Sequence, residues 1–408
     1  MTLLFKLAWR NMFRNKRRTI LSGLAVGIGL ASLIFVNGLL EGMLQSMVSG
    51  ATNSFMGQGQ VHAEGFRDTY EAELTIKDLK NVINILEADE TVSGYTSRTI
   101  TQGMLTSSAD VVSVVAYGID PLGEQQVSQL SEVIVEGEYL KPDSKRKILI
   151  GSRASELLDA GIGERLVLTI AQAGTGELSQ EMFRVGGIFH YGIRDIDSYL
   201  VFTNLEKAQT MLRLPDRAHE VAIKFNDIKT SGETTLPLWD KLSTNGNEAL
   251  GWPGLLPSLK AAHDLSNFST FLTSILVFGI VALTIMNTLF MSLYERMYEF
   301  GVMRAVGTRP ISMALMIVLE AISLAVVSMV IGIILGYTVN TIFGIVGIDY
   351  SGIEFAGVTL TEPIYTTLNV KQFTLFPLMI LLFSLIASLY PAIYAARLMP
   401  AKAIKRSL

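Results

Sequence analysis

Residues 294–310, YERMYEFGVMRAVGTRP, set two glutamates and three arginines in a short stretch between two long apolar runs. Glu295, Glu299, Arg296, Arg304 and Arg309 sit among apolar neighbours, with apolar runs on both sides. On a helix of about 100° per residue, Tyr294, Tyr298, Gly301 and Ala305 share one stripe. Glu295, Glu299, Val302 and Val306 share a second, and Arg296, Phe300, Met303 and Arg304 take the remainder. Apolar groups on several sides with charges between them suit a groove in another protein, where shape grips and charge orients. The alternative is a helix lying on lipid. Gly307 is placed to end the helix in a left-handed C-cap, and Pro310 to open the next.

Glu320 is the one acid well inside an apolar run, where a carboxylate costs about 2.5–3.5 kcal/mol to insert. Its place near the start of that run leaves two readings: pairing with an arginine of the preceding segment, or facing the bundle near the headgroups. Other chemistries are missing. There is no G-x-x-x-x-G-K-[ST] loop for nucleotide phosphates, no H-E-x-x-H and no G-x-S-x-G. His62, His190, His219 and His263 are too scattered for a metal set, so no metal or catalytic residue is assigned. No basic stripe interleaved with aromatics points to nucleic acid.

The elements that must position these residues follow from hydropathy. Half of the 408 residues are apolar and 17% are charged, with a mean hydropathy of +0.40. Four runs, about 19–40, 268–293, 311–340 and 373–394, can cross a hydrocarbon core, which takes ~20 apolar residues of helix. Basic residues crowd the N-terminal tail (Lys6, Arg10, Arg14, Lys16, Arg17, Arg18), segment 294–310 and the C-terminal tail. The positive-inside rule therefore places both termini and that segment in the cytoplasm, and the block 46–265 outside it. The first run reads as an uncleaved anchor, since it exceeds the length of a signal-peptide core. With no cysteine, the outer block has no disulfide.

Residues 1–18 pattern as an interfacial amphipathic helix, or as a topology signal. Gly23 and Gly27 in the first run, and Gly332 and Gly336 in the third, recur every four residues and mark close helix packing. Met43, Met47 and Phe55, just beyond the first run, are candidates for lipid or substrate contact, with packing as the plainer role. The outer block mixes strand-like and helix-like pieces. They suggest an α+β lobe (56–100 and 204–260) carrying an inserted β-rich lobe (101–203).

The motif ERMYEFGVMRAVG, followed by Glu320, resembles the E-R-x-x-E-φ-G-φ-x-R-A-φ-G pattern (φ apolar) of the MacB/FtsX-like ABC permeases, which include the lipoprotein-releasing permeases. WRNMFRNKRRTILS and YPAIYAARLMPAKAI resemble that family's opening and closing segments. YGIDP and ILIGSRASELL resemble the lipoprotein-releasing branch. Phe300 and Ile393–Tyr394 depart from the usual pattern.

The resemblance implies four transmembrane helices plus a two-lobed, MacB-type α+β periplasmic domain. By residue number these are helix 1 with a stalk (19–45), outer domain (46–265), helix 2 (266–293), coupling helix (294–310), helix 3 (311–340), outer loop (341–372), helix 4 (373–394) and basic tail (395–408). It also implies that Tyr294, Glu295, Arg296, Tyr298, Glu299, Gly301, Arg304, Ala305 and Gly307 couple to a separate P-loop ATPase. That partner, present in two copies, would hold ATP and Mg; this chain would hold no cofactor. A second permease chain, identical or related, would complete an inner-membrane complex that passes force to the outer domain. The implied work is extraction of lipoproteins and their handover to a periplasmic carrier. Two alternatives stay open: a MacB-type exporter of a peptide, toxin or antibiotic, and an FtsX-like regulator of a cell-wall enzyme.

Overall fold

The computed structural model of the chain describes residues 13–350 and 363–399, together with Arg10 and the pairs 354–355 and 358–359. The described residues fall into two compact units: one from 1–45, 263–350 and 362–408, the other from 46–262 and 351–361. Most of the expected amphipathic segment 1–18 and the tail beyond Met399 lie outside the described residues.

The membrane unit contains five helices: α1 (Lys16–Ala51), α2 (Pro257–Glu295), α3 (Met297–Ala305), α4 (Pro310–Val346) and α5 (Val370–Ala396). All but α3 are long and apolar enough to cross a membrane. At 1.5 Å per residue, the 36 residues of α1 and 39 of α2 span roughly 54 and 58 Å, well beyond a hydrocarbon core. Both exceed the ranges expected from hydropathy, because polar flanks such as PSLKAAHDLSN continue the helical pattern after the apolar run ends.

Small residues set the α1–α4 contact. A Cβ added at Gly332 would lie 2.7 Å from Leu30 Cβ and 2.8 Å from the Gly27 carbonyl oxygen. One added at Gly27 would meet Ile331 at 2.9 Å. In lipid, where helices gain nothing from hiding apolar surface, such backbone approach supplies the dispersion contacts that hold them. Polar bridges add to it: Ser22 and Thr288 share a 2.8 Å hydrogen bond between α1 and α2, and buried Asn340 donates to the Ile34 carbonyl at 3.2 Å. The bundle core joins Leu30, Ile34, Ile285, Leu289, Ile317 and Ala321, and it takes in Met297 and Phe300 of α3.

The outer unit is built on one ten-stranded sheet: β1 (Gly59–Ala63), β2 (Val92–Thr106), β3 (Val111–Ile119), β4 (Ile134–Gly137), β5 (Lys147–Gly151), β6 (Arg165–Ala171), β7 (Leu178–Phe189), β8 (Leu200–Asn204), β9 (Glu220–Phe225) and β10 (Asn247–Gly251). The order is β10-β1-β9-β2-β3-β8-β5-β7-β4, and β6 pairs with both β2 and β7. Strands β2, β3, β8, β5, β7 and β6 therefore close a ring, which encloses Leu105, Val114, Ile148, Leu166, Phe183 and Val201. The ring draws its strands from residues 92–204 and forms the β-rich lobe. The α+β lobe packs Val61, Val82, Leu86, Val221, Ile223 and Trp239 between β10-β1-β9-β2 and the helices Leu79–Glu87 and Pro237–Leu242.

The two lobes are not separate sheets. Strand β2 runs 15 residues through both, pairing with β9 over 92–98 and with β6 over 103–106. Two strands were not expected from sequence. The four residues of β4 alternate too briefly to register, and β10 follows a helical stretch, carrying two polar residues in NEALG.

Candidate functional site

At the elbow between α2 and α4, α2 ends at Glu295 and Arg296 breaks the helix, with φ −112° and ψ 17°, before α3 begins at Met297. Tyr294 and Glu295, expected within the coupling helix, are instead the last residues of α2. Gly307 has φ +100°, a conformation that a β-carbon disfavours, and Pro310 opens α4.

The stripes divide differently from the helical-wheel expectation. Phe300 packs in the chain's own bundle core, and Gly301 beside it is buried. The exposed face is Tyr298, Val302, Ala305 and Val306, with Val306 83% exposed and Ile311 of α4 nearby in sequence, 75% exposed. The elbow therefore ends in an uncovered stripe of aromatic and aliphatic side chains.

The acids pair with the chain's own cations at the surface of the elbow. Arg14 pairs with Glu299, and Arg18 with Glu295 at 2.8 Å. Arg296 Nε lies 3.2 Å from Glu299, and its Nη1 3.5 Å from Glu320. Ser292 donates to Glu320 at 2.9 Å. Of the two readings open for Glu320, the structure thus displays the arginine pairing. The hydrogen bond from Arg14, reinforced by Arg296, holds the Glu299 carboxyl below its usual range. Arg304 donates to the Thr308 carbonyl at 3.2 Å and braces the turn around Gly307. Tyr394, one of the departures from the family pattern, meets Phe290 and Tyr294 edge-on at 6.0 and 6.3 Å, so an aromatic cluster replaces the commoner polar residue.

A second feature lies at the outer end of the same bundle: a cavity of about 720 Å³ between α1, α2 and α5. Asn37, Glu41, His263, Asn267, Asn369, Lys371 and Gln372 line its outer part, and Phe271, Ile275, Phe278, Phe376, Met379 and Phe383 its inner part. Gln372 donates to Asn37 at 3.1 Å and Asn369 to Glu41 at 3.3 Å, which fixes the polar wall. The Lys371 ammonium has no ion pair among the described residues. From Lys371 to Phe383, α5 descends roughly 18 Å, about the depth of one leaflet's hydrocarbon. Phe278 and Phe383 close the inner end with ring centroids 5.3 Å apart.

The residues singled out earlier for lipid contact are elsewhere. Met47 is buried, Phe55 packs on Tyr117, Tyr191 and Phe202 of the outer unit, and Met43 is half-buried outside the cavity lining. On α1 the lining residues are Asn37, Leu40, Glu41 and Leu44, the i, i+3, i+4, i+7 spacing that marks one helical face. That signal was present in the sequence, but the apolar run on either side of it obscured a face defined only by its partners.

The histidines of the outer unit are structural. His219 is buried, accepts the Ile100 amide at Nδ1 (2.9 Å) and donates from Nε2 to the Ala72 carbonyl (2.9 Å); burial lowers its pKa and keeps it neutral. Ser152, His190 and Asp197 meet, yet both partners approach the same ring nitrogen, Nδ1, at 2.9 and 3.2 Å. A proton relay needs opposite nitrogens, so this is no nucleophilic triad. Asp197 instead accepts the Tyr191 and Gly192 amides at 2.8 and 3.0 Å.

An ion knot sits where the lobes meet. Buried Arg98 donates twice to Glu124, at 2.8 and 2.6 Å, and once to Glu220 at 2.6 Å; His62 lies 3.2 Å from Glu220. Burial alone would raise the Glu220 carboxyl, but the His62 hydrogen bond and the Arg98 charge hold it below its usual range. The knot ties β1, β2, β9 and the helix Pro121–Val127 together, an architectural role that sequence spacing could not disclose.

Comparison with known proteins gives a consistent picture. The chain matches the MacB-like periplasmic core domain family over residues 19–234 and the FtsX-like permease C-terminal family over 271–400. It is 21% identical over 403 residues to the lipoprotein-releasing system transmembrane protein LolC of Neisseria meningitidis, covering 95% of this chain and 94% of that one. It is 22% identical to the LolE protein of Haemophilus influenzae, covering 98% of each. The macrolide export ATP-binding/permease protein MacB of Hahella chejuensis is also 22% identical, over 84% of this chain but only 52% of that protein, so the chain spans about half its length. Among solved structures, the periplasmic region of MacB from Actinobacillus actinomycetemcomitans overlays with a TM-score of 0.36 at 14% identity, covering 51% of this chain and 94% of that one.

Proposed function

We propose, from the premise that this chain belongs to the MacB/FtsX-type permease family, that it is the inner-membrane subunit of an ABC transporter that extracts lipid-anchored proteins. A separate P-loop ATPase seats on the exposed stripe Tyr298–Val302–Val306 of α3, and its nucleotide-driven closure moves α1 and α2. No ATPase domain is detected in this chain, so ATP and Mg belong to that partner. Two permease chains and two ATPases make the working unit.

The observation that carries the substrate reading is the cavity of about 720 Å³ at the outer-leaflet end of the bundle. Its outer wall is polar with the Lys371 ammonium, and its inner wall is aromatic and aliphatic to leaflet depth. An amphiphile fits that gradient: acyl chains descend among Phe271, Phe376 and Met379, while a polar head stays by Lys371 and Asn267. Water-soluble cargo would leave the aromatic floor uncovered. The full-length resemblance to lipoprotein-releasing permeases supports the same reading.

The test is ATP hydrolysis by the reconstituted permease–ATPase complex with a triacylated lipoprotein, with its unacylated form, and with macrolides or peptides. Stimulation and release specific to the acylated protein support the proposal. Response to peptides or drugs alone would favour the exporter reading, for which the MacB likeness is the supporting observation. A complex that responds to none of these, and only activates a cell-wall hydrolase, would replace both.

A further inference from the structure

Arg14, in the short 3-10 turn Phe13–Asn15, and Arg18, in the first turn of α1, stand four residues apart, and they meet Glu299 and Glu295, also four apart, in reverse order. Two elements distant in sequence thus make a two-rung antiparallel ladder across the α2–α3 elbow. Glu299 is shared: it takes Arg14 from one side and Arg296 from the other, and Arg296 continues the chain of charge to Glu320 of α4. Both ladder acids therefore face this chain's own cations.

We infer that Arg14 and Arg18 are positioning residues that tether the elbow to α1, so that a push on α3 reaches α1 directly and not only through the α2 backbone. The inference rests on the reading of α3 as the ATPase-driven lever, and it adds a second route for the force. Without the ladder, α1 follows the elbow only through its packing against α2 and α4, whose polar and glycine contacts begin at Ser22 and Gly23 and lie deeper in the bundle. A topology signal would explain positive charge in this stretch, but not a register that matches the acids rung for rung. Isolated exposed ion pairs contribute little to stability, so the ladder's effect belongs in coupling rather than in folding.

The chain has no cysteine, so a single dye can be placed at exposed Gln45 on the outer part of α1 (Gln45→Cys) in the full permease–ATPase complex in nanodiscs. The readout is the dye's response to ATP and vanadate, which needs no substrate. Arg14→Glu with Arg18→Glu is expected to keep the ATPase bound and its basal hydrolysis intact, and to weaken the nucleotide-driven dye response roughly five-fold or more. Adding Glu295→Arg and Glu299→Arg to that variant restores the response, because both rungs re-form with charges exchanged.

Arg14→Lys with Arg18→Lys keeps the charge and is expected to retain most of the response. Loss of the ATPase from the arginine variants would overturn the inference, since the residues would then serve docking. So would an unchanged dye response, or a charge exchange that restores nothing. If no ATPase accompanies even the unaltered chain, the lever reading itself fails. A double-mutant cycle of Arg18 and Glu295 on the nucleotide-driven dye response reads the ladder directly, and zero coupling there overturns the inference.

Discussion

The Arg98 knot is a set of buried charges that stabilises only as a whole. Arg98→Met leaves Glu124 and Glu220 buried without their cation, which is expected to destabilise the outer unit by about 3–5 kcal/mol. Urea unfolding of the full chain, followed by Trp239 and Trp252 fluorescence, measures it. Replacing all three members with apolar residues of similar volume should recover much of the loss, because no unpaired charge remains. Protonation makes the same point. The folded Glu220 carboxyl titrates below its unfolded value, so its contribution is complete above about pH 5 and fades as pH falls through the lower folded value. The acid side of the unfolding profile should therefore steepen below about pH 4, and Glu220→Gln should flatten it.

Among the elements, the close approach of α1 and α4 gives the sharpest expectation. Leucine at Gly332 would collide with Leu30 and the Gly27 carbonyl, forcing the helices apart and undoing the Asn340 bridge. A loss of more than about 3 kcal/mol is expected, read as a lowered thermal midpoint in detergent. Gly279→Leu is the control, since a Cβ there meets nothing within 4 Å. The elbow gives a contrasting expectation. Val302→Asp and Val306→Asp alter exposed positions, so the bundle keeps its stability while ATPase binding falls about ten-fold or more. Co-purification of the two subunits separates these outcomes. Had the stripe simply rested on lipid, ATPase binding would be unchanged.

At the level of the whole molecule, the proposed paths of force and substrate share the membrane bundle. The elbow carries an exposed apolar stripe at one end, and the cavity opens at the other, between α1, α2 and α5. The helices that the proposed lever would move, α1 and α2, also form walls of the cavity. Filling it should thus separate capture from hydrolysis. Leu40→Trp or Phe376→Asp is expected to cut stimulation by a triacylated lipoprotein roughly ten-fold, while basal ATP turnover persists. Equal loss of both activities would instead mean a collapsed bundle.

Local pattern alone determined the four candidate spans, the strand-rich block between the first two and the elbow bounded by Gly307 and Pro310, because apolar run length and backbone propensity act within a few residues. Tertiary structure decided what each elbow side chain faces. Glu295 and Glu299 looked available to a partner until Arg18 and Arg14, some 280 residues earlier, were brought beside them. It also decided that β2 joins both lobes, that Arg98 meets Glu124 and Glu220, and that Asn37, Asn267 and Phe376 share one cavity. Those facts depend on contacts between distant segments, and a single sequence carries no local trace of which distant segment will fold against which.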